Sequence, residues 1–363
     1  MVIIFCGIPG SGKSTLARQL ARKLEKIGKI VLFVSDDISH SVYKKISELL
    51  KENLKKADYI IIDATFYKRK WQRMVYKICG RDKVVTLDIR CPIKICLQRN
   101  KNCKKPISKK ALYIIYHQIE RPSVPVLTIN TAKTPAKKFL PLILAKIIEK
   151  QYLNKENFSK FLKKFGQLYS EELGIDLKSK KASEIFKWFL ASLLFGARIS
   201  ETIAKNTYLT FKKYKILTSR KIIKVDWDFL VKKIMKEGGY VRYDGKTSNE
   251  LIRISKYLLE NYKGNINLVH QKAKNKLDLK NKLQEFYSVG PATCRIFLRE
   301  LRGIWEKADS DIGSFVKLAA KKLNLPQSLK ELKIYWQRHK VKNYDFRNFE
   351  VALLRLGKNY FKE

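Results

Sequence analysis

The sequence predicts an α/β domain with a parallel sheet and a phosphate-binding loop, followed by an all-α domain. Three observations carry this. The chain opens with a β-branched apolar run that turns through glycines into an amphipathic helix pattern. Further short apolar runs then alternate with helical patterns, as in βαβ units. Beyond about residue 152 the strand patterns largely cease and helical periodicity takes over. A chain of 363 residues also exceeds the ~250–300 residues at which single hydrophobic cores stop growing. Two domains are expected, 1–152 and 153–363, joined by the polar stretch QYLNKENFSK.

Lys and Arg number 77 against 33 acids, a net charge of +44. The excess is not confined to a tail: residues 1–150 hold 32 basic and 11 acidic side chains, and 151–363 hold 45 and 22. A field of that sign attracts a polyanion and is uncommon for an enzyme of small metabolites. Nucleic acid is therefore the expected partner, although a Lys-, Ile- and Asn-rich composition can also be a genome-wide bias. The six cysteines have no C-x-x-C spacing and a core this large needs no disulfide staples, so reduced thiols are expected. The opening MVIIFCG is too short for a signal peptide, and no run approaches the ~20 apolar residues that span a bilayer. A soluble, cytoplasmic protein without membrane partners is expected.

Taken in order, MVIIFCGIPGSGKSTLARQLARKL reads as strand, loop and helix, with Leu16, Leu20 and Leu24 on the apolar face of the helix. Gly7, Gly12, Lys13 and Ser14 complete G-x-x-x-x-G-K-[ST], and Gly10, Ser11 and Thr15 complete the loop. Glycines let backbone N–H groups face phosphate oxygens, and the helix N-terminus adds partial positive charge. The motif predicts ATP binding, with Lys13 reaching the β and γ phosphates and the Ser14 hydroxyl on Mg²⁺. KIVLFVSDD reads as a second strand ending at Asp36 and Asp37, and ADYIIIDAT as a third ending at Asp63. The carboxyl ends of parallel strands converge beside such a loop. Asp63 fits a carboxylate that holds Mg²⁺, and Asp36 sits where a general base could take a proton from an attacking hydroxyl. For each, a helix N-cap is the alternative.

The order GIPGSGKST, SDD, IIIDAT, RNKNCKKPIS resembles the small P-loop kinases that include polynucleotide 5'-hydroxyl kinases and seryl-tRNA kinases, over about residues 1–152. The resemblance implies transfer of the ATP γ-phosphate to a hydroxyl on DNA, RNA or aminoacylated tRNA. It also implies a lid whose first arginine, Arg99, stabilises charge during transfer. The second lid arginine of those families falls at Cys103, with Lys104 or Lys105 as substitutes that lack the planar fork of arginine. Arg69 and Arg73 are candidate acceptor contacts, or ordinary surface arginines on a helix.

In the second domain, the helix patterns around EFYSVGPATC suggest two helices joined by a tight turn. Pro291 suits the first position of the following helix, and the turn's N–H groups at Val289, Gly290 and Ala292 suit a phosphate oxygen. With FLASLLFGARISETIAKN before it and KADSDIGSFVKL after it, the region 180–325 resembles the endonuclease III-like helix-hairpin-helix DNA glycosylases. That resemblance implies base excision, with Asp309 stabilising the cationic sugar as the base of a flipped nucleotide departs. Alternatively Asp309 or Ser310 caps a helix starting near Asp311. Three departures matter. Ala292 stands where bifunctional relatives carry a Schiff-base lysine, so lyase chemistry through that amine is absent. Ser288 replaces the first glycine of the hairpin. No cysteine follows Cys294, so no iron–sulfur cluster is expected. A monofunctional glycosylase or a DNA-binding remnant fits, and a tRNA-directed kinase with a helical binding module is the alternative. Tyr240, Tyr243, Phe286, Tyr287 and Trp305 are candidates for stacking on bases, most of them expected in the core.

Overall fold

The computed structural model describes residues 1–35, 41–103 and 105–362. The chain divides into two compact units. One comprises Met1–Phe161, Phe315–Gln327 and Leu353–Glu363, and the other Leu162–Ser314 and Ser328–Ala352. The division differs from a single boundary after 152. Half of the QYLNKENFSK stretch is absorbed into the helices on either side and 153–157 form the turn between them, and the sequence returns to the first unit twice. The two returning segments meet at Gly357, which packs so closely on the backbone of Phe315 that a Cβ would lie 2.0 Å from its carbonyl oxygen.

In the first unit, five parallel strands lie in the order β2-β3-β1-β4-β5. They are β1 (Val2–Cys6), β2 (Ile30–Val34), β3 (Tyr59–Asp63), β4 (Val84–Arg90) and β5 (Leu127–Asn130). β1 and β3 are buried at every position. That is why they read as continuous apolar runs rather than alternating ones: helices cover both faces of a parallel sheet. The covering helices are α1 (Lys13–Leu24), α2 (Val42–Asn53), α3 (Arg69–Cys79), α4 (Ile93–Lys101), α5 (Lys109–Gln118) and α6 (Leu140–Tyr152). α1 buries Leu16, Ala17, Leu20, Ala21 and Leu24, the stripe that its apolar spacing prescribes. With β1 between β3 and β4, the chain leaves its central strand at the point where strand order reverses, and a crevice opens there at the carboxyl ends of the strands.

The second unit is helical throughout its described regular structure, apart from one isolated bridge. Its helices at Ala182–Gly196 and Pro291–Glu300 pack closely at Gly196, where a Cβ would meet the Thr293 hydroxyl at 2.2 Å. Buried charged side chains tie distant segments together. Glu300, fully buried, accepts hydrogen bonds from the N–H groups of Tyr169 (3.0 Å) and Ser170 (2.9 Å). Arg302 donates to Glu350 at 3.0 Å, and both side chains are almost wholly buried.

Candidate active site

The loop 7–12 leaves β1 and is wedged between the strands on either side. The Gly7 N–H donates to the Thr65 carbonyl beyond β3 at 3.2 Å, while a Cβ on Gly7 would lie 2.6 Å from the Ile89 carbonyl oxygen in β4. Gly10 is equally constrained: its φ of +77° is left-handed, and a Cβ there would come within 2.5 Å of the Cys96 carbonyl oxygen. These close approaches shape a backbone cradle that side chains would fill. Lys13 begins α1, is buried, and donates from Nζ to the Ile8 carbonyl at 3.0 Å, so its ammonium crosses the cradle. Ser14 and Thr15 follow in the first turn, where the helix dipole is positive. The Ser11 hydroxyl is fully buried and has no hydrogen-bond partner among the described residues.

Asp63 is the last residue of β3 and is almost wholly buried beside this loop segment. The cradle, Ser14 and Asp63 together fit a nucleoside triphosphate with Mg²⁺. Asp36 and Asp37 lie outside the described residues, as does Lys104.

Arg99 sits in the last turn of α4 and is anchored to the residue that follows β5. Its guanidinium donates to the Thr131 hydroxyl at 3.2 Å and to the Thr131 carbonyl at 2.8 Å. The Thr131 hydroxyl donates in turn to the Ser11 carbonyl of the loop at 2.7 Å. Loop, Arg99 and Thr131 enclose a cavity of about 400 Å³, lined also by Gly12, Thr15, Lys133 and Pro135. The turn beyond α4 is stapled by Asn100, which donates to the Ile107 carbonyl at 2.8 Å and accepts from its N–H at 3.2 Å. Cys103, where the second lid arginine was expected, is exposed and points its thiol to the Arg99 carbonyl. Sequence reasoning assigned no role to Thr131 or to the 131–135 segment. The available signal was positional, a polar T-A-K-T-P turn directly after a strand at the carboxyl edge.

Asp88 also went unassigned. It is fully buried on β4, in register with Cys6, and pairs with Arg121 at 2.7 Å and Arg90 at 2.8 Å. Burial, followed by the Asp88 charge, pushes the Cys6 thiol up, so Cys6 is a packed neutral group rather than a nucleophile. Of the two candidate acceptor contacts, Arg69 is tied down: its N–H donates to Glu120 at 2.9 Å and its Nε to the Arg121 carbonyl at 3.0 Å. Arg73 is exposed.

In the helical unit, the helices Lys276–Gln284 and Pro291–Glu300 flank the tight turn. Ser288 takes φ +62°, the left-handed conformation a glycine would adopt without strain, and the Val289 N–H closes the turn on the Phe286 carbonyl at 3.0 Å. Gly290 caps the second helix, and Pro291 and Ala292 are exposed at its start while the Val289 side chain is buried. The aromatic candidates divide. Tyr240, Phe286 and Trp305 are core residues, whereas Tyr243 and Tyr287 are exposed with Arg242 and Arg253 lying over their rings.

Asp309 caps no helix, since the next one starts at Ser314. Its carboxylate instead takes three cations: Arg302 and Lys333 on Oδ1 and Lys276 on Oδ2, the two lysines at 2.9 Å. Burial alone would raise its pKa. The hydrogen bonds from Lys276 and Lys333 and the charge of Arg302 outweigh it and hold the carboxyl below its ordinary value.

A central parallel sheet with a glycine cradle, a lysine at the first turn of α1 and a buried strand-end carboxylate define a P-loop phosphotransferase. Residues 2–111 match the family described as AAA domain. Among curated proteins, the chain is similar to an adenylyl-sulfate kinase of Clostridium acetobutylicum. The two are 30% identical over an alignment 165 residues long that covers 39% of this chain and 80% of that protein. The chain belongs to this P-loop kinase family through its N-terminal segment, and the family uses ATP with Mg²⁺. Similar solved structures include a gluconokinase from Sinorhizobium meliloti 1021 (TM-score 0.34, 13% identity, 44% of this chain and 96% of that one). Another is a sugar kinase from Janibacter sp. HTCC2649 (TM-score 0.31, 14% identity, 40% and 91%). Among the described residues, no helix is long and apolar enough to cross a membrane.

Proposed function

We propose that the protein phosphorylates a 5'-hydroxyl on DNA or RNA, and that its helical unit holds the nucleic acid. The observation that carries the kinase part is the cradle with Lys13 across it, beside buried Asp63. When bound, Mg²⁺ neutralises charge on the transferring group; Ser14 and Asp63 would hold it. The chain's own groups do the rest. Loop N–H groups and the α1 N-terminus orient the phosphates, and the Lys13 ammonium offsets negative charge on them. The anchored Arg99 forms one wall of the cavity beside the loop. Asp36 is the proposed acceptor of the hydroxyl proton. Support for a polyanionic acceptor comes from the net charge of +44, carried by both halves of the chain, and from the arginine-capped aromatics Tyr243 and Tyr287 on the helical unit.

The test offers 5'-hydroxyl DNA, 5'-hydroxyl RNA and aminoacylated tRNA together with γ-labelled ATP. Label on a strand end supports the proposal, and label on the charged tRNA alone decides for a tRNA-directed kinase. Base excision is a second reading of the helical unit, favoured by Asp309 lying partly buried beyond the tight turn. It predicts Asp309-dependent abasic sites in duplexes bearing uracil, oxidised or alkylated bases. Their absence across such a panel leaves the unit a binding module.

A further inference from the structure

The cleft between α2 and α3 has the composition of a base-stacking site. It is a cavity of about 620 Å³ lined by Val42, Tyr43, Lys44, Trp71 and Met74, with Ser41 at its edge. Tyr43 and Trp71 stand ring to ring, 4.0 Å apart and 5° from parallel, and both remain half-buried rather than sealed in the core. The Lys70 ammonium lies 4.6 Å over the Trp71 ring. α3 supplies Arg69, Lys70, Arg73 and Lys77, all exposed, and contains no acidic residue.

The cleft is one residue removed from the phosphate loop. Gly7 donates to Thr65, and the next residue, Phe66, packs edge-on against Tyr43 at 5.8 Å. Phe66 is fully buried and held at φ +45°, a conformation an L-residue keeps only when its surroundings impose it. Strand order places this cleft on the β2–β3 side of the loop, and the cavity at Arg99 and Thr131 on the β4–β5 side. A nucleotide in one and an acceptor in the other would meet at the loop from opposite sides.

We propose that this cleft seats a nucleobase at the 5' end of a single-stranded acceptor, with Trp71 and Tyr43 as its aromatic wall and the α2 and α3 cations on the adjoining phosphates. The inference rests on the phosphorylation of 5'-hydroxyl strands proposed above. The paired rings, Val42 and Met74 give the cleft an apolar lining that suits a base whatever its identity, and the cation rim matches the charge of a strand. A small sugar acceptor lacks the run of phosphates that the exposed α3 cations would meet.

The experiment measures steady-state phosphorylation of a single-stranded 5'-hydroxyl oligonucleotide by the full chain and its Trp71→Leu and Trp71→Phe variants. A second acceptor lacks the base of its first nucleotide. Anisotropy of the same labelled oligonucleotides without ATP reports binding alone. Trp71→Leu is expected to raise KM and the dissociation constant about 10-fold, with kcat within about two-fold, and Trp71→Phe to recover most of the loss. The abasic acceptor should bind the parent about 10-fold more weakly and leave Trp71→Leu unmoved. Equal KM and binding for parent and both variants, or indifference to the missing base, overturns the cleft assignment. Absence of transfer by the parent overturns the phosphorylation reading instead, and the anisotropy then decides the cleft by itself. Should Trp71→Leu fail to fold, the abasic acceptor with the parent carries the decision alone: about 10-fold weaker binding supports the cleft and equal binding overturns it.

Discussion

The two units treat charge in opposite ways. Around the phosphate loop, positive groups converge on a cradle of backbone: the ammonium of Lys13 donates to a loop carbonyl, and the cradle's shape comes from positions where a Cβ has no room. In the helical unit the chemically promising group, Asp309, is already enclosed by Arg302, Lys276 and Lys333. A carboxylate so neutralised is a poor base and a weak electrostatic partner for a developing cation. The first unit is organised to receive an anion, and in the second the carboxylate joins three of its own segments.

The contrast is broken most directly at Lys13. Lys13→Ala should lower γ-phosphate transfer about 10²–10³-fold at saturating ATP, the scale on which removing one group aimed at transition-state charge acts. Circular dichroism should show the fold intact. Transfer at parental rate would show that the cradle does not serve phosphate chemistry and would remove the distinction between the units. Gly10→Ala sharpens the same side by testing backbone shape without touching charge. A left-handed φ costs an L-residue about 1–2 kcal/mol, and the approach to the Cys96 carbonyl adds to it. Calorimetry should find a lowered Tm, and nucleotide titration a weakened affinity. An unchanged Tm with full affinity would mean that the loop adapts and the cradle is not rigid.

Asp309→Asn tests the other side, and its two readings diverge. As an ion-pair centre, the substitution should destabilise the chain by about 1–3 kcal/mol, since buried Arg302 loses a charged partner. The pH dependence has a definite sign. A carboxyl held below its ordinary value of 3.8 contributes stability that is full above that value and is lost as pH falls through its lower folded-state value. The slope of stability against pH in that acid range should therefore flatten in Asp309→Asn. A catalytic aspartate predicts instead an unchanged Tm and the disappearance of abasic products.

How much of this was legible in the sequence follows the same contrast. Gly7, Gly12, Lys13 and Ser14 are spaced by local backbone geometry, so adjacent letters encode the cradle, and buried parallel strands announce themselves as continuous apolar runs. Asp63 was legible because a strand pattern ends on it. Thr131 and Asp88 were not, because their partners, Ser11, Arg99 and Arg121, are distant in sequence and meet only through strand order. The environment of Asp309 is assembled from residues 276, 302 and 333, three separate segments whose meeting no local period signals. The same holds for the Tyr43–Trp71 pair, which joins two helices on either side of β3.

The smallest expected effect concerns the turn, where sequence and conformation disagree. Ser288 occupies φ +62° at an exposed position, a conformation in which its Cβ is strained and a glycine would not be. Ser288→Gly should remove that strain, offset in part by the greater entropy glycine loses on folding. The net expectation is a stabilisation of at most about 1 kcal/mol, read as a small rise in Tm. If the turn presents its N–H groups to a phosphate, duplex affinity in the variant should be kept or slightly increased, because the backbone path is the same. A fall in affinity at preserved Tm would mean that the serine hydroxyl itself contacts the strand. The departure from glycine would then be a contact the helical unit added, in contrast to the first unit, where the glycines at 7 and 10 admit no side chain at all.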